Sequence, residues 1–317
     1  MRGIDQLLLQ LRGRVRRVQA RLPGAPPPRP GAVVLRLDAH PAPIDAALPA
    51  AAGPPLGLGA WRARLTEIIR WAGPMPVTVR LLTAPPEGMA AELLRFAQRL
   101  GCPTTLETAG QGLDEEVALA LLDAGLGRAR LFVASLQAGP QIAALGVDPI
   151  DAAAALRALR GARDLRQAPL DVEVAVPWLR GAGAELSTIR GWATQAGADG
   201  VRVLPPWTAA DAEGAAGLPE GRGDAGLRGL RAIAPQLRAM AADGQAAPGA
   251  PRRRRCGVLG QRLDLAADGA VRACPFKPPM GTPDQLPPAA WLSGDVHRQL
   301  IHSCGRTCGP PVMAALG

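Results

Sequence analysis

Residues 77–110 read VTVRLLTAPPEGMAAELLRFAQRLGCPTTLETAG, and the reading of this stretch decides the fold class. VTVRLL (77–82) is a short run of valine, threonine and leucine, the composition of a strand. TAPPEG interrupts it with two prolines and a glycine, residues that end regular structure. From Met89 onward, Leu93, Leu94, Phe96 and Leu100 recur near one face of a helix, and TTLET (104–108) opens a second strand. A strand, a helix and a strand within about thirty residues make one right-handed βαβ crossover onto a parallel neighbour.

The same unit repeats outward in both directions. Upstream lie the strand-like VVLRLDAH (33–40) and the helical WRARLTEIIRWAG from Trp61, with Leu65, Ile68 and Ile69 on one side. Downstream, RLFVAS (130–135), DVEVAV (171–176) and residues 201–204 read as the fourth, fifth and sixth strands. AGQGLDEEVALALLDAGLG, DAAAALRALRGAR and LSTIRGWATQAG supply the helices between. Strands apolar on both faces belong in a sheet covered by helices. No glycine-rich fingerprint follows the first strand, so a dinucleotide-binding sheet lacks its usual signal. The expectation is an α/β chain built on a partial (β/α)6 TIM-like barrel over residues 31–240. A small C-terminal cysteine-rich metal-binding module over 241–317 follows it. An amphipathic N-terminal helix and Pro-rich joint over 1–30 precede it, with Leu7, Leu8, Leu11, Val15, Val18 and Leu22 at near-helical spacing.

Composition narrows the function classes. The 317 residues are 48% hydrophobic, enough for a sizeable core, but only 3% aromatic. The formal charge of +9 comes almost wholly from arginine, since Lys277 is the single lysine. Such charge favours acidic partners, yet no recognition motif or row of stacking aromatics accompanies it, so specific nucleic-acid binding is not expected. No apolar run reaches the length of a transmembrane helix, and the N-terminus lacks the long apolar region of a signal peptide. Free thiols then suit a cytoplasmic location.

Parallel β/α barrels bind ligands at the carboxyl ends of their strands. Candidate rim residues are Asp38, Glu87, Glu107 and Ser135. Each has a plain structural reading beside the functional one. Asp38 can cap or turn the chain, and Glu87 can cap the following helix. Glu107, inside an otherwise uncharged strand, is either a paired structural carboxylate or a ligand contact. No Ser–His–carboxylate set emerges.

The cysteines carry the sharpest signal. Four of the five, Cys256, Cys274, Cys304 and Cys308, lie in the last sixty-two residues. Thiolates converging in a loop-rich segment hold either an iron–sulfur cluster or Zn2+, and buried apolar thiols are the plain alternative. LDLAADGAVRAC between the first two suits a hairpin with Asp268-Gly269 at its turn.

In order and spacing these segments resemble the radical S-adenosylmethionine (radical SAM) family, whose catalytic domain is a partial β/α barrel of six strands. VTVRLLTAPPEG resembles the second strand and its Gly-Gly-Glu-Pro loop. TTLETAG is similar to the third strand, RLFVASLQAG to the fourth, and LDVEVAVPW to the fifth. Cys256, twelve residues, Gly269, four residues and Cys274 resemble the opening of the auxiliary-cluster module called SPASM, or twitch when shortened. One departure is decisive: the family's Cys-x3-Cys-x2-Cys set after the first strand is replaced by RLDAHPAPIDA, with no cysteine. The resemblance therefore implies one auxiliary-type [4Fe–4S] cluster on Cys256, Cys274, Cys304 and Cys308, with S-adenosylmethionine deprived of its iron anchor. It implies an accessory or electron-relay protein that binds a peptide, a protein or a partner radical enzyme. The alternatives are an enzyme acting on a small molecule or peptide at the barrel rim, and a structural zinc protein.

Overall fold

The structure is a computed structural model, and it describes residues 29–38, 53–84, 88–177, 185–204 and 262–272. Outside the described residues lie the expected N-terminal helix, Glu87 and all four C-terminal cysteines.

The six expected strands form. They are β1 (Ala32–Arg36), β2 (Val77–Leu81), β3 (Thr104–Thr108), β4 (Arg128–Phe132), β5 (Asp171–Pro177) and β6 (Gly200–Leu204). Between them run α1 (Leu58–Ala72), α2 (Met89–Arg99), α3 (Glu115–Asp123), α4 (Ala138–Leu145), α5 (Pro149–Arg166) and α6 (Leu186–Gln195). All six strands pair in parallel with their sequence neighbours, from β1–β2 to β5–β6. Their order is that of a barrel wall that does not close.

Two features were not visible in the sequence pattern. The first is α4, eight residues directly after the fourth strand, where Gly139 and Pro140 disguise a helix. The second concerns the expected hairpin. It forms as β7 (Arg262–Leu265) and β8 (Val271–Arg272), with Gly269 in the turn at φ +80°. β7 also pairs in parallel with β1, so among the described residues the sheet has eight strands in the order β6-β5-β4-β3-β2-β1-β7-β8. Residues 53–57 clamp the turn, the amide of Leu56 donating to the Ala267 carbonyl at 2.8 Å.

Side chains alternate across the sheet. Val33, Leu35, Val77, Val79, Leu106, Leu131, Val172 and Val174 meet Trp61, Leu65, Ile68, Leu93, Leu94, Leu156, Leu159 and Ile189 of the helices in one large core. The opposite face is divided in two along the strands. Its middle is charged. Its end, toward the strand carboxyl termini, is apolar: Leu82, Ala109, Phe132, Ala134, Ala175 and Leu204 pack with Ala144, Leu145 and Val147. Burying that set is what holds α4 against the sheet.

Candidate functional site

The charged band runs along one line of register. Arg36 faces Arg80, Arg80 faces Glu107, Glu107 faces Arg130, and Arg130 faces Glu173, one residue from each of β1 to β5. Successive residues on one register line share a face, so the side chains meet. Arg130 Nη1 lies 2.6 Å from Glu107 Oε1, and Arg80 Nη1 lies 3.4 Å from Glu107 Oε2. Arg130 also reaches Glu173 Oε2 through Nε at 3.1 Å and Nη2 at 3.0 Å. The Arg80 guanidinium stacks on the Phe132 ring at 4.9 Å, tying the charged band to the apolar cap beyond it.

The hairpin contributes to the same band. Asp264 on β7 accepts from Arg36 Nε at 3.2 Å and from Arg262 Nε at 2.9 Å. The like-charged register partners Arg36 and Arg80 are thus each held by a different carboxylate. Burial pushes the Glu107 carboxyl up, but Arg80, Arg130 and Arg262 together outweigh that and hold it below its ordinary range. Asp264 behaves the same way: burial raises it, and Arg262, Arg36 and Arg80 bring it below the usual value. Of the two readings of Glu107, the geometry is that of a paired structural carboxylate.

Asp38 follows β1 at the rim. Its carboxylate accepts from the amides of Leu82 and Thr83 at 3.0 and 2.9 Å, and from Thr83 Oγ1 at 2.7 Å. It thereby takes up backbone donors at the end of β2.

Ser135 lies past the end of β4 in a second knot of hydrogen bonds. Its Oγ donates to Glu185 Oε2 at 2.7 Å and accepts from the Gln137 amide at 3.0 Å. Gln141 Oε1 accepts from the amides of Ala134 and Ser135 at 2.8 and 3.1 Å. Asp38, Glu107 and Ser135 therefore serve three separate local networks. Sequence reasoning missed Glu185 and Gln141. Glu185 was hidden as the apparent first residue of a helix, and Gln141 by the disguised α4.

Cys102 is the first cysteine of the chain. It is buried just before β3, and that burial raises its thiol pKa against a lowering backbone hydrogen bond at Met75. Three thiolates after β1 are what a radical cluster needs, and the donor set there contains none. The residues present do not fit that cluster. Among the described residues no group of three or more metal-ligating side chains gathers. No described helix is long and apolar enough to cross a membrane.

The sequence matches no protein-family profile. No curated protein matches it either. Solved structures do resemble the fold. Streptococcus suis SuiB bound to precursor peptide SuiA superposes with a TM-score of 0.63 at 11% identity, over 86% of this chain and 67% of that one. SuiB bound to S-adenosylmethionine gives 0.62 at 9% identity, over 86% of this chain. The chain spans 65% of SuiB's length in that comparison. Native anSMEcpe with bound AdoMet gives 0.58 at 8% identity, over 86% of this chain and 82% of that one. The similarity shows that this chain shares the partial-barrel fold of those structures.

Proposed function

We propose that this chain is a noncatalytic, accessory iron–sulfur protein built on a degenerate radical SAM-like barrel. In this reading Cys256, Cys274, Cys304 and Cys308 hold one [4Fe–4S] cluster, and the barrel binds a peptide or a partner protein. The observation that carries the reading is the contrast between the two ends of the scaffold. The cluster-bearing position after β1 holds Asp38 and no thiol, and Asp38 is spent on the end of β2. The hairpin between Cys256 and Cys274, in contrast, is formed and hydrogen-bonded into the barrel wall.

Deprotonated thiolates suit a cluster, and four protein ligands leave no open iron for a substrate. A fully ligated cluster serves electron transfer or structure, not Lewis-acid chemistry. Electron relay to a partner radical enzyme follows as the use of such a centre.

Peptide as the partner class is supported by two neighbours: SuiB is bound to precursor peptide SuiA, and anSMEcpe to a Cp18Cys peptide. An enzyme acting at the rim through Asp38 and Glu107 draws no support, since both carboxylates are committed to hydrogen bonds and ion pairs within the chain.

The test is an anaerobic assay of the reconstituted chain with a strong reductant and S-adenosylmethionine. The proposal expects no reductive cleavage of the nucleoside. Multiple-turnover cleavage by the isolated chain would overturn it.

A further inference from the structure

The outer wall between α5 and α6 holds a groove of about 530 Å3, lined by Arg157, Arg160, Gly161, Asp164 and Gln195. Its charges do not balance. Asp164 is shared by Arg160 at 3.8 Å and Arg163 at 3.6 Å, and Arg163 is itself held by Asp199 at 2.8 Å. Arg157, exposed on α5, pairs with no carboxylate of the described residues. The Arg160 guanidinium is seated in a vacancy: Gly197 turns at φ +87°, and a Cβ there would stand 2.7 Å from Arg160 Nη1. Leu165, 61% exposed, adds an apolar side chain one turn beyond Gly161.

The sequence directly after β6 carries the complementary chemistry. Residues 205–221 read PPWTAADAEGAAGLPEG, with Asp211, Glu213 and Glu220 and not one arginine or lysine, in a chain of formal charge +9. Trp207 and Leu218 are its large apolar residues. Topology sends the chain past the groove. β6 and β7 both run parallel to β1, so the chain after Leu204 must return from the carboxyl end of the sheet to its amino end before Arg262. Gln195 ends the ten-residue α6 and so stands roughly 15 Å down that path. Asp211, seven residues beyond Leu204, reaches about 23 Å when extended.

We propose that the groove between α5 and α6 is a docking site for the chain's own acidic stretch, residues 207–220, whose carboxylates meet Arg157 and Arg160. Trp207 and Leu218 supply apolar surface to set against Leu165. A short tether to β6 holds this occupant at roughly millimolar effective concentration, which favours it over a free acidic partner. The contact is one of exposed charges, so each pair contributes little and salt weakens it. The docking goes beyond the cluster assignment and does not depend on it.

The test uses the full chain. Lys277 is its only lysine, so Arg157→Lys places a nearly unique side-chain amine in the groove. A carbodiimide then joins that amine to any carboxylate in contact with it, and mass spectrometry of the digested monomer finds the partner. Arg70→Lys, at an exposed position of α1, is the control. Arg157→Lys should crosslink within one chain to Asp211, Glu213 or Glu220, at least about fivefold more than Arg70→Lys does, and less in high salt. Elastase cleavage within Ala209–Ala216 gives a second readout. It should quicken about threefold or more when Arg157→Glu and Arg160→Glu are combined, and slow again when Asp211→Arg and Glu213→Arg are added. Crosslinks found only between two chains would give the groove to a second copy and overturn the proposal. Crosslinks to Asp164 alone, or an elastase rate unmoved by the charge reversals, would overturn it as well. Neither readout depends on whether the thiols carry iron, so the docking can fail while the cluster assignment stands.

Discussion

Arg36 on β1 hydrogen-bonds Asp264 on β7 through Nε at 3.2 Å, with Nη2 3.1 Å from the same oxygen, across 228 positions of sequence. Asp264 is 1% exposed. This pair fixes the hairpin of the cysteine-rich segment to the first strand of the barrel, from within the buried face of the sheet. Main-chain pairing alone would tolerate a slip in register; a buried charge that must meet its partner does not.

Glu107 is the carboxylate between Arg80 and Arg130, and Arg80 is fully buried. Glu107→Ala should lower unfolding free energy by about 3–5 kcal/mol, because it leaves buried guanidinium charge without its counter-ion. Denaturant titration measures it. Substituting Arg80→Met in the Glu107→Ala background should recover part of the loss.

The same carboxylates set the acid limit of stability. Glu107 and Asp264 have folded pKa values below their ordinary ones. Their contribution is therefore complete above the unfolded values of about 4.3 and 3.9, and is lost as pH falls through the folded values. Unfolding free energy should be flat in this respect near neutrality and drop below about pH 4. Asp264→Asn should be less stable at neutral pH and show a shallower acid slope.

Asp38 holds two backbone amides and one hydroxyl at the end of β2. Asp38→Ala should cost about 1–3 kcal/mol and loosen the loop after β2, read as faster amide exchange at Leu82 and Thr83.

Two glycines should respond in opposite directions to alanine. Gly269, at φ +80°, has Leu56 Cδ1 only 2.7 Å from where a Cβ would stand. Gly269→Ala should destabilise by about 1–3 kcal/mol. Gly161 lies inside α5 with nothing within 4 Å of that position. Gly161→Ala should stabilise by about 0.5–1 kcal/mol. Thermal melts of the two variants side by side check both signs.

The barrel wall was legible because its strands are short apolar runs set between helices of clear periodicity; Thr104–Thr108 was read to the residue. Gly269 announced the hairpin turn, since a tight turn demands a positive φ. What the sequence hid was long-range. That β7 would pair with β1 depends on Asp264 meeting Arg36, a partnership no local pattern encodes. α4 escaped because Gly139 and Pro140 read as breakers, while its stability comes from burying Ala144 and Leu145 on the sheet. Glu107 was singled out as a charge in a strand, but its partners follow only from strand register. Glu185 was invisible because its function is to reach another element.

The most direct measurement of the central claim is the iron, acid-labile sulfide and zinc content of the anaerobically purified chain. The account predicts about four irons and four sulfides per chain, as in a cubane cluster, lost in Cys256→Ser and in Cys274→Ser while the barrel stays folded. Stoichiometric zinc without sulfide, or a full iron complement in either variant, would contradict it.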